Sequence, residues 1–144
     1  MRGGKLATIP TETRSDSAQM LVGIKGAEAS ASILLVEDEA LIRMMISEMV
    51  EELGHIVVAE AGNIEAARHL AETATFDLAI LDINIAGFNV QPIAEIIEKR
   101  SLPFLFVSGY GVKGLPEPFR TRPILDKPCF LEQLKQEIDL LLHR

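Results

Sequence analysis

Five short apolar runs, each closed by a polar or turn-forming residue, alternate along the chain with stretches whose apolar residues recur at helical spacing. The runs are Ser32 to Val36, His55 to Glu60, Leu78 to Asp82, Pro103 to Ser108 and Arg122 to Asp126. Several are continuously apolar rather than alternating, the pattern of a strand buried on both faces. Between them, Leu41, Ile42, Met45, Ile46, Met49, Val50 and Leu53 form one broad apolar face that Gly54 ends. Asn63 is a good N-cap for a helix from Ile64 to about Ala74. Val90 to about Lys99 reads as a helix with Pro92 tolerated in its first turn, and Leu131, Leu134, Ile138 and Leu141 stripe a last one. This alternation predicts an α/β fold, a doubly wound five-stranded parallel sheet, because right-handed crossovers pack helices onto both faces. Val112 to Arg122 holds Gly114, Pro116 and Pro118, so the fourth helix is expected to be short or missing.

Composition narrows the setting. The 144 residues make one domain's worth of chain, and 48% hydrophobic content is ample for a core. Residues 1–31 differ from the rest, with four glycines, a Thr/Ser-rich piece and no sustained periodicity, and are expected to form a disordered N-terminal tail ahead of a domain at 32–144. Met20 is a second candidate for the native start. No apolar run is long enough for a membrane span or a signal peptide, so a cytoplasmic protein without membrane contact is expected. Lone Cys129 rules out an internal disulfide and a cysteine metal site, and a net charge of −7 argues against nucleic acid as a partner.

Candidate chemistry lies at the strand ends. Glu37-Asp38, Asp82, Ser108 and Lys127 each follow an apolar run, and in a parallel sheet those ends share one edge, where α/β folds bind ligands. The acids after the first strand can cap the next helix or hold a divalent cation, and the residues alone leave both open. Crowded carboxylates repel one another unless a cation sits among them, and an all-oxygen set suits Mg²⁺. A carboxylate can also attack phosphorus to form an aspartyl phosphate, with a lysine and a hydroxyl holding the other oxygens.

From about Ser32 onward the chain resembles a receiver domain of two-component response regulators. The resemblance rests on Glu37-Asp38, Asp82-Ile83-Asn84 with Gly87, Ser108-Gly109 and Lys127-Pro128. It implies a flavodoxin-like strand order 2-1-3-4-5 and a phosphoryl group accepted on Asp82 from a histidine kinase or histidine phosphotransfer protein. It also implies Mg²⁺ bound by Asp38, Asp82 and the main-chain carbonyl of Asn84, with Glu37 acting through water. Ser108 and Lys127 would contact phosphoryl oxygens, and Lys127-Pro128 is a candidate cis peptide. Many receivers carry an aromatic residue three before the lysine, where this chain has Ile124. Phe104 to Gly111 instead resembles a subgroup with a Phe-x-Thr-Gly-Tyr signature, in which Ser108 replaces the threonine and Tyr110 supplies the switch aromatic.

The last helix runs up to Arg144, so the expectation is a stand-alone response regulator and not an enzyme. It would act by phosphorylation-dependent binding of a downstream protein or as a phosphate sink. A phosphatase of the haloacid dehalogenase type wants a second aspartate where Asn84 stands, and a dinucleotide fold wants a Gly-rich turn after the first strand. The alternative is a degenerate receiver serving as a phosphorylation-independent interaction module.

Overall fold

A computed structural model describes residues 30–143 except Val112 and Cys129. The expected tail at 1–31 therefore lies almost wholly outside the described residues. Strands β1 (Ser32–Val36), β2 (Ile56–Ala61) and β3 (Leu78–Asp82) are separated by helices α1 (Ala40–Glu52) and α2 (Ile64–Thr73). A two-stranded hairpin, β4 (Asn84–Ile85) and β5 (Phe88–Asn89), precedes α3 (Gln91–Lys99). Then come β6 (Phe104–Ser108), β7 (Ile124–Asp126) and α4 (Leu131–Leu142). The main sheet is parallel throughout, in the order β2-β1-β3-β6-β7. Counting only its own strands, this is the expected order 2-1-3-4-5.

Strand periodicity explains the double burial. Leu34, Val36, Ala79, Leu81, Phe104 and Phe106 point into one core with residues of α2 and α3. Their neighbours Ile33, Leu35, Leu78, Ile80, Leu105 and Val107 point into the other, against α1 and α4. Helix ends follow their local chemistry. Gly54 takes φ 95° after α1, a left-handed conformation that favours glycine. Asn63 Oδ1 accepts from the Ala66 N–H at 2.8 Å, as its cap position predicts. Arg100 donates to the carbonyls of Ala71 and Ala74 at 2.6 and 2.8 Å, closing the C-terminal end of α2 while lying 5.0 Å above the Phe76 ring.

Among the described residues between β6 and β7 the only helical element is a single 3₁₀ turn, Glu117–Phe119, as the prolines and glycines foretold. Buried Phe119 anchors it, edge-on to Phe104 with centroids 5.5 Å apart. The Arg122 guanidinium stacks over both rings and pairs with Glu98 on α3. The Arg122 N–H goes to the Phe119 carbonyl and Pro123 has no N–H to donate, so β7 begins at Ile124 and not at Arg122. No helix among the described residues is long and apolar enough to cross a membrane.

Two substitutions separate these contributions. In urea unfolding, Phe119→Ala is expected to cost about 3–5 kcal/mol through the cavity it leaves, and Asn63→Ala about 1 kcal/mol through the lost cap.

Candidate functional site

Three neighbouring strands and the first strand's outgoing loop deliver the polar residues to one edge. Asp82 at the end of β3 is in register with Val107, so Ser108 lies one step beyond on β6, itself opposite Asp126 on β7. Lys127 follows, its N–H donating to the Ser108 carbonyl at 2.8 Å. Its ammonium lies 2.8 Å from Glu37 Oε1 and 3.1 Å from Asp82 Oδ2. Carboxylate oxygens of Glu37, Asp38 and Asp82 all fall within 4.8 Å of one another. Glu37, Asp82 and Ser108 are buried. The Lys127-Pro128 peptide is cis, as the resemblance implied.

One ammonium does not balance three carboxylates. At this spacing each like-charged pair repels by roughly 3 kcal/mol at an effective dielectric near 20. Burial pushes the Glu37 and Asp82 carboxyls above their ordinary values, and the Lys127 contacts only partly offset this. Burial alone would lower Lys127, but its contacts with Glu37 and Asp82 outweigh it and raise its pKa. Glu37 Oε2 accepts the Glu39 N–H at 2.9 Å, while buried Oε1 has no aligned hydrogen-bond donor, so its contact with Lys127 is ionic. Helix α1 has no side-chain cap and no acid in its first turn, which decides against capping as the main purpose of the acids. Three convergent carboxylates with a single ammonium among them are a donor set fit for a hard divalent cation.

The other predicted residues lie around this cluster. Asn84 donates its main-chain N–H to Asp82, and its side-chain Oδ1 accepts the Gly87 N–H at 2.9 Å. Tyr110 is 78% exposed at the rim, and its N–H donates to Ser108 Oγ at 3.0 Å. A cavity of about 630 Å³ opens over the cluster, lined by Asp38, Asp82, Asn84, Ser108, Tyr110 and Lys127 and also by Lys113.

Lys113 was not expected, nor were two supports of the site. The first is the β4–β5 hairpin, whose turn holds Ala86 at φ 51° and Gly87 at φ 92°, the signs a two-residue type I′ turn needs. Asp38 Oδ2 fastens that turn by accepting the Ala86 N–H at 2.8 Å. The second is Arg43 on α1, whose guanidinium donates to the Glu37 carbonyl at 2.7 Å and to Glu60 at 3.2 Å. It passes so close to Gly62 that a Cβ there would lie 2.8 Å from Nη1. The unexplained glycine just after β2 was the available signal.

A parallel sheet in this order, with acids, a hydroxyl and a lysine converging beyond its carboxyl edge, has the architecture of a receiver fold. The family model of the response regulator receiver domain matches residues 33–139, and the chain belongs to that family of two-component signalling. The chain is similar to the solution structure of SdrG from Sphingomonas melonis, 34% identical with a TM-score of 0.72, covering 80% of this chain and 98% of that one. It is also similar to the receiver domain of PhyR from Erythrobacter litoralis, 27% identical with a TM-score of 0.69, covering 81% and 93%. The transcriptional regulatory protein PdtaR of Mycobacterium tuberculosis is 34% identical over 116 residues, which cover 78% of this chain and 57% of that protein. The chain thus spans little more than half the length of this relative.

The raised carboxyls set a direction for stability. Stability from Glu37 and Asp82 is complete below their ordinary values of 4.5 and 3.8 and is lost as pH rises through the higher folded values. In EDTA at neutral pH, Asp82→Asn is therefore expected to melt roughly 2–5 °C above wild type, the gap closing as the pH falls and Asp82 takes up a proton. Melting curves across that pH range check it.

Proposed function

We propose that Asp82 is the phosphoacceptor of a Mg²⁺-dependent receiver that takes its phosphoryl group from a histidine kinase or histidine phosphotransfer protein. The observation that carries this reading is the meeting of Asp82 with Glu37, Asp38 and Lys127 at the sheet edge. Asp38, Asp82 and the main-chain carbonyl of Asn84 would hold the cation, with Glu37 acting through water. Bound there, Mg²⁺ would lower the raised carboxyl pKa values and offset charge on the transferring group.

The chain's own residues divide the remaining work. An Asp82 carboxylate oxygen attacks phosphorus, an O–P bond forms and the P–N bond of the donor phosphohistidine breaks; its electron pair stays on the ring nitrogen, and because the ring is already protonated on its other nitrogen it departs as neutral imidazole. Ser108 Oγ already accepts the Tyr110 N–H, which leaves its O–H to donate to a phosphoryl oxygen. Lys127, now 3.1 Å from Asp82 Oδ2, moves its contact to the incoming oxygens. The Ser108–Tyr110 hydrogen bond gives the new group a direct link to the exposed switch residue and to the loop beyond it. Output then takes the form of phosphorylation-dependent binding of a downstream protein, or of draining phosphoryl groups from a shared kinase.

With Mg²⁺ and acetyl phosphate, wild type is expected to gain an acid-stable, hydroxylamine-labile phosphate that Asp82→Asn lacks. Lys127→Ala should slow its formation by about tenfold or more. Incorporation unaffected by Asp82→Asn contradicts the reading.

A further inference from the structure

The cavity over Asp82 contains a second cation to which no role has been given. Lys113, in the segment between β6 and β7, lines it together with Asp38, Asp82, Ser108, Tyr110 and Lys127. Its backbone is held in place. The Lys113 N–H donates to the Tyr110 carbonyl at 3.2 Å, closing a turn through Gly111 at φ 62°. The following Gly114, at φ 83°, accepts from Asn89 Nδ2 at 2.9 Å, and a Cβ on it would touch Ile83 Cγ2 at 3.6 Å. The turn is thus fastened to the β4–β5 hairpin and lies beside Ile83, the residue directly after Asp82, which places Lys113 at the cavity rim.

The two lysines differ in their engagement. Lys127 lies within reach of both Glu37 and Asp82, whereas Lys113 is exposed and has no carboxylate partner among the described residues. A phosphoryl group on Asp82 would carry close to two negative charges in place of the carboxylate's one, at the mouth of a cavity already rich in acids. A flexible ammonium with its donors uncommitted is suited to meet such a group from the solvent side, opposite Lys127.

We propose that Lys113 is a further phosphoryl-contacting residue, closing over the cavity mouth to donate from Nζ to an oxygen of the group on Asp82. The inference rests on Asp82 as phosphoacceptor. It assigns Lys113 to the charged product and not to the cation, because an ammonium repels Mg²⁺.

That asymmetry makes it testable on the full chain by calorimetric titration, first with Mg²⁺ alone and then with the phosphoryl mimic beryllofluoride in saturating Mg²⁺. Lys113→Ala is expected to weaken beryllofluoride binding roughly three- to tenfold while binding Mg²⁺ alone no more weakly than wild type. The loss should shrink in about 0.5 M NaCl, where an exposed charge is screened. Lys113→Arg should retain most of the affinity, and Lys99→Ala, on α3 away from the cavity, should bind as wild type. Beryllofluoride affinity within twofold of wild type for Lys113→Ala overturns the proposal. So does an equal loss in Lys99→Ala, or a parallel loss of Mg²⁺ affinity, which would mark general electrostatics or damage to the site. If wild type itself takes up no beryllofluoride, the phosphoacceptor reading fails first and this inference falls with it.

Discussion

Three clustered carboxylates, of which one ammonium reaches only two, set the terms for this domain at the carboxyl edge of a buried sheet. The sheet cannot avoid the arrangement, because β1, β3 and β7 are neighbours or near neighbours whose ends share one side. Each residue there is held by something other than its charged neighbours. Glu37 is fixed through its carbonyl by Arg43 and through Oε2 by the Glu39 N–H, Asp38 holds the hairpin turn at Ala86, and Asp82 receives the Asn84 N–H. The scaffold thus imposes a charge imbalance that Lys127 only partly relieves, and burial keeps water from relieving the rest. In the proposed function a divalent cation would offset this excess first, and so make room for the charge of a phosphoryl group.

The route from this edge to the surface follows from the same contacts. Ser108 is bonded to the backbone of Tyr110, and the loop beyond is tied to the hairpin by Asn89 and to the core by Phe119. Arg122 joins that loop to α3 through Glu98 and two aromatic rings. A change at Ser108 therefore acts on a loop held by individual side-chain anchors and not by the continuous backbone hydrogen bonding of a full helix. The loop in place of a helix is a consequence of Gly114, Pro116 and Pro118, and its single buried aromatic keeps it from detaching.

Much of this was legible in the order of residues. Asp82, Ser108 and Lys127 stand directly after apolar runs, and a parallel sheet turns sequence positions of that kind into a shared location. Glu37 and Asp38 were legible as acids with a purpose, but only the structure separates capping from charge clustering, because α1 goes without a side-chain cap. The hairpin escaped notice since strands of two residues carry no periodicity and Ala86 is not a residue that announces φ 51°. Arg43 was hidden because its partners are a main-chain carbonyl and an acid on a different strand, neither of which spacing encodes. Lys113 was hidden likewise, as a lone charge in a loop acquires meaning only from the cavity it faces.

If a divalent cation completes the imbalance among Glu37, Asp38 and Asp82, it binds at that position. Titration of isotopically labelled protein with Mn²⁺ in place of Mg²⁺ tests it most directly, because a paramagnetic ion broadens amide signals according to distance. The amides of Glu37, Asp38, Ile83 and Ala86 are expected to disappear first and to return when excess Mg²⁺ displaces the Mn²⁺. Broadening centred on exposed acids elsewhere, with these four signals unaffected, would contradict it.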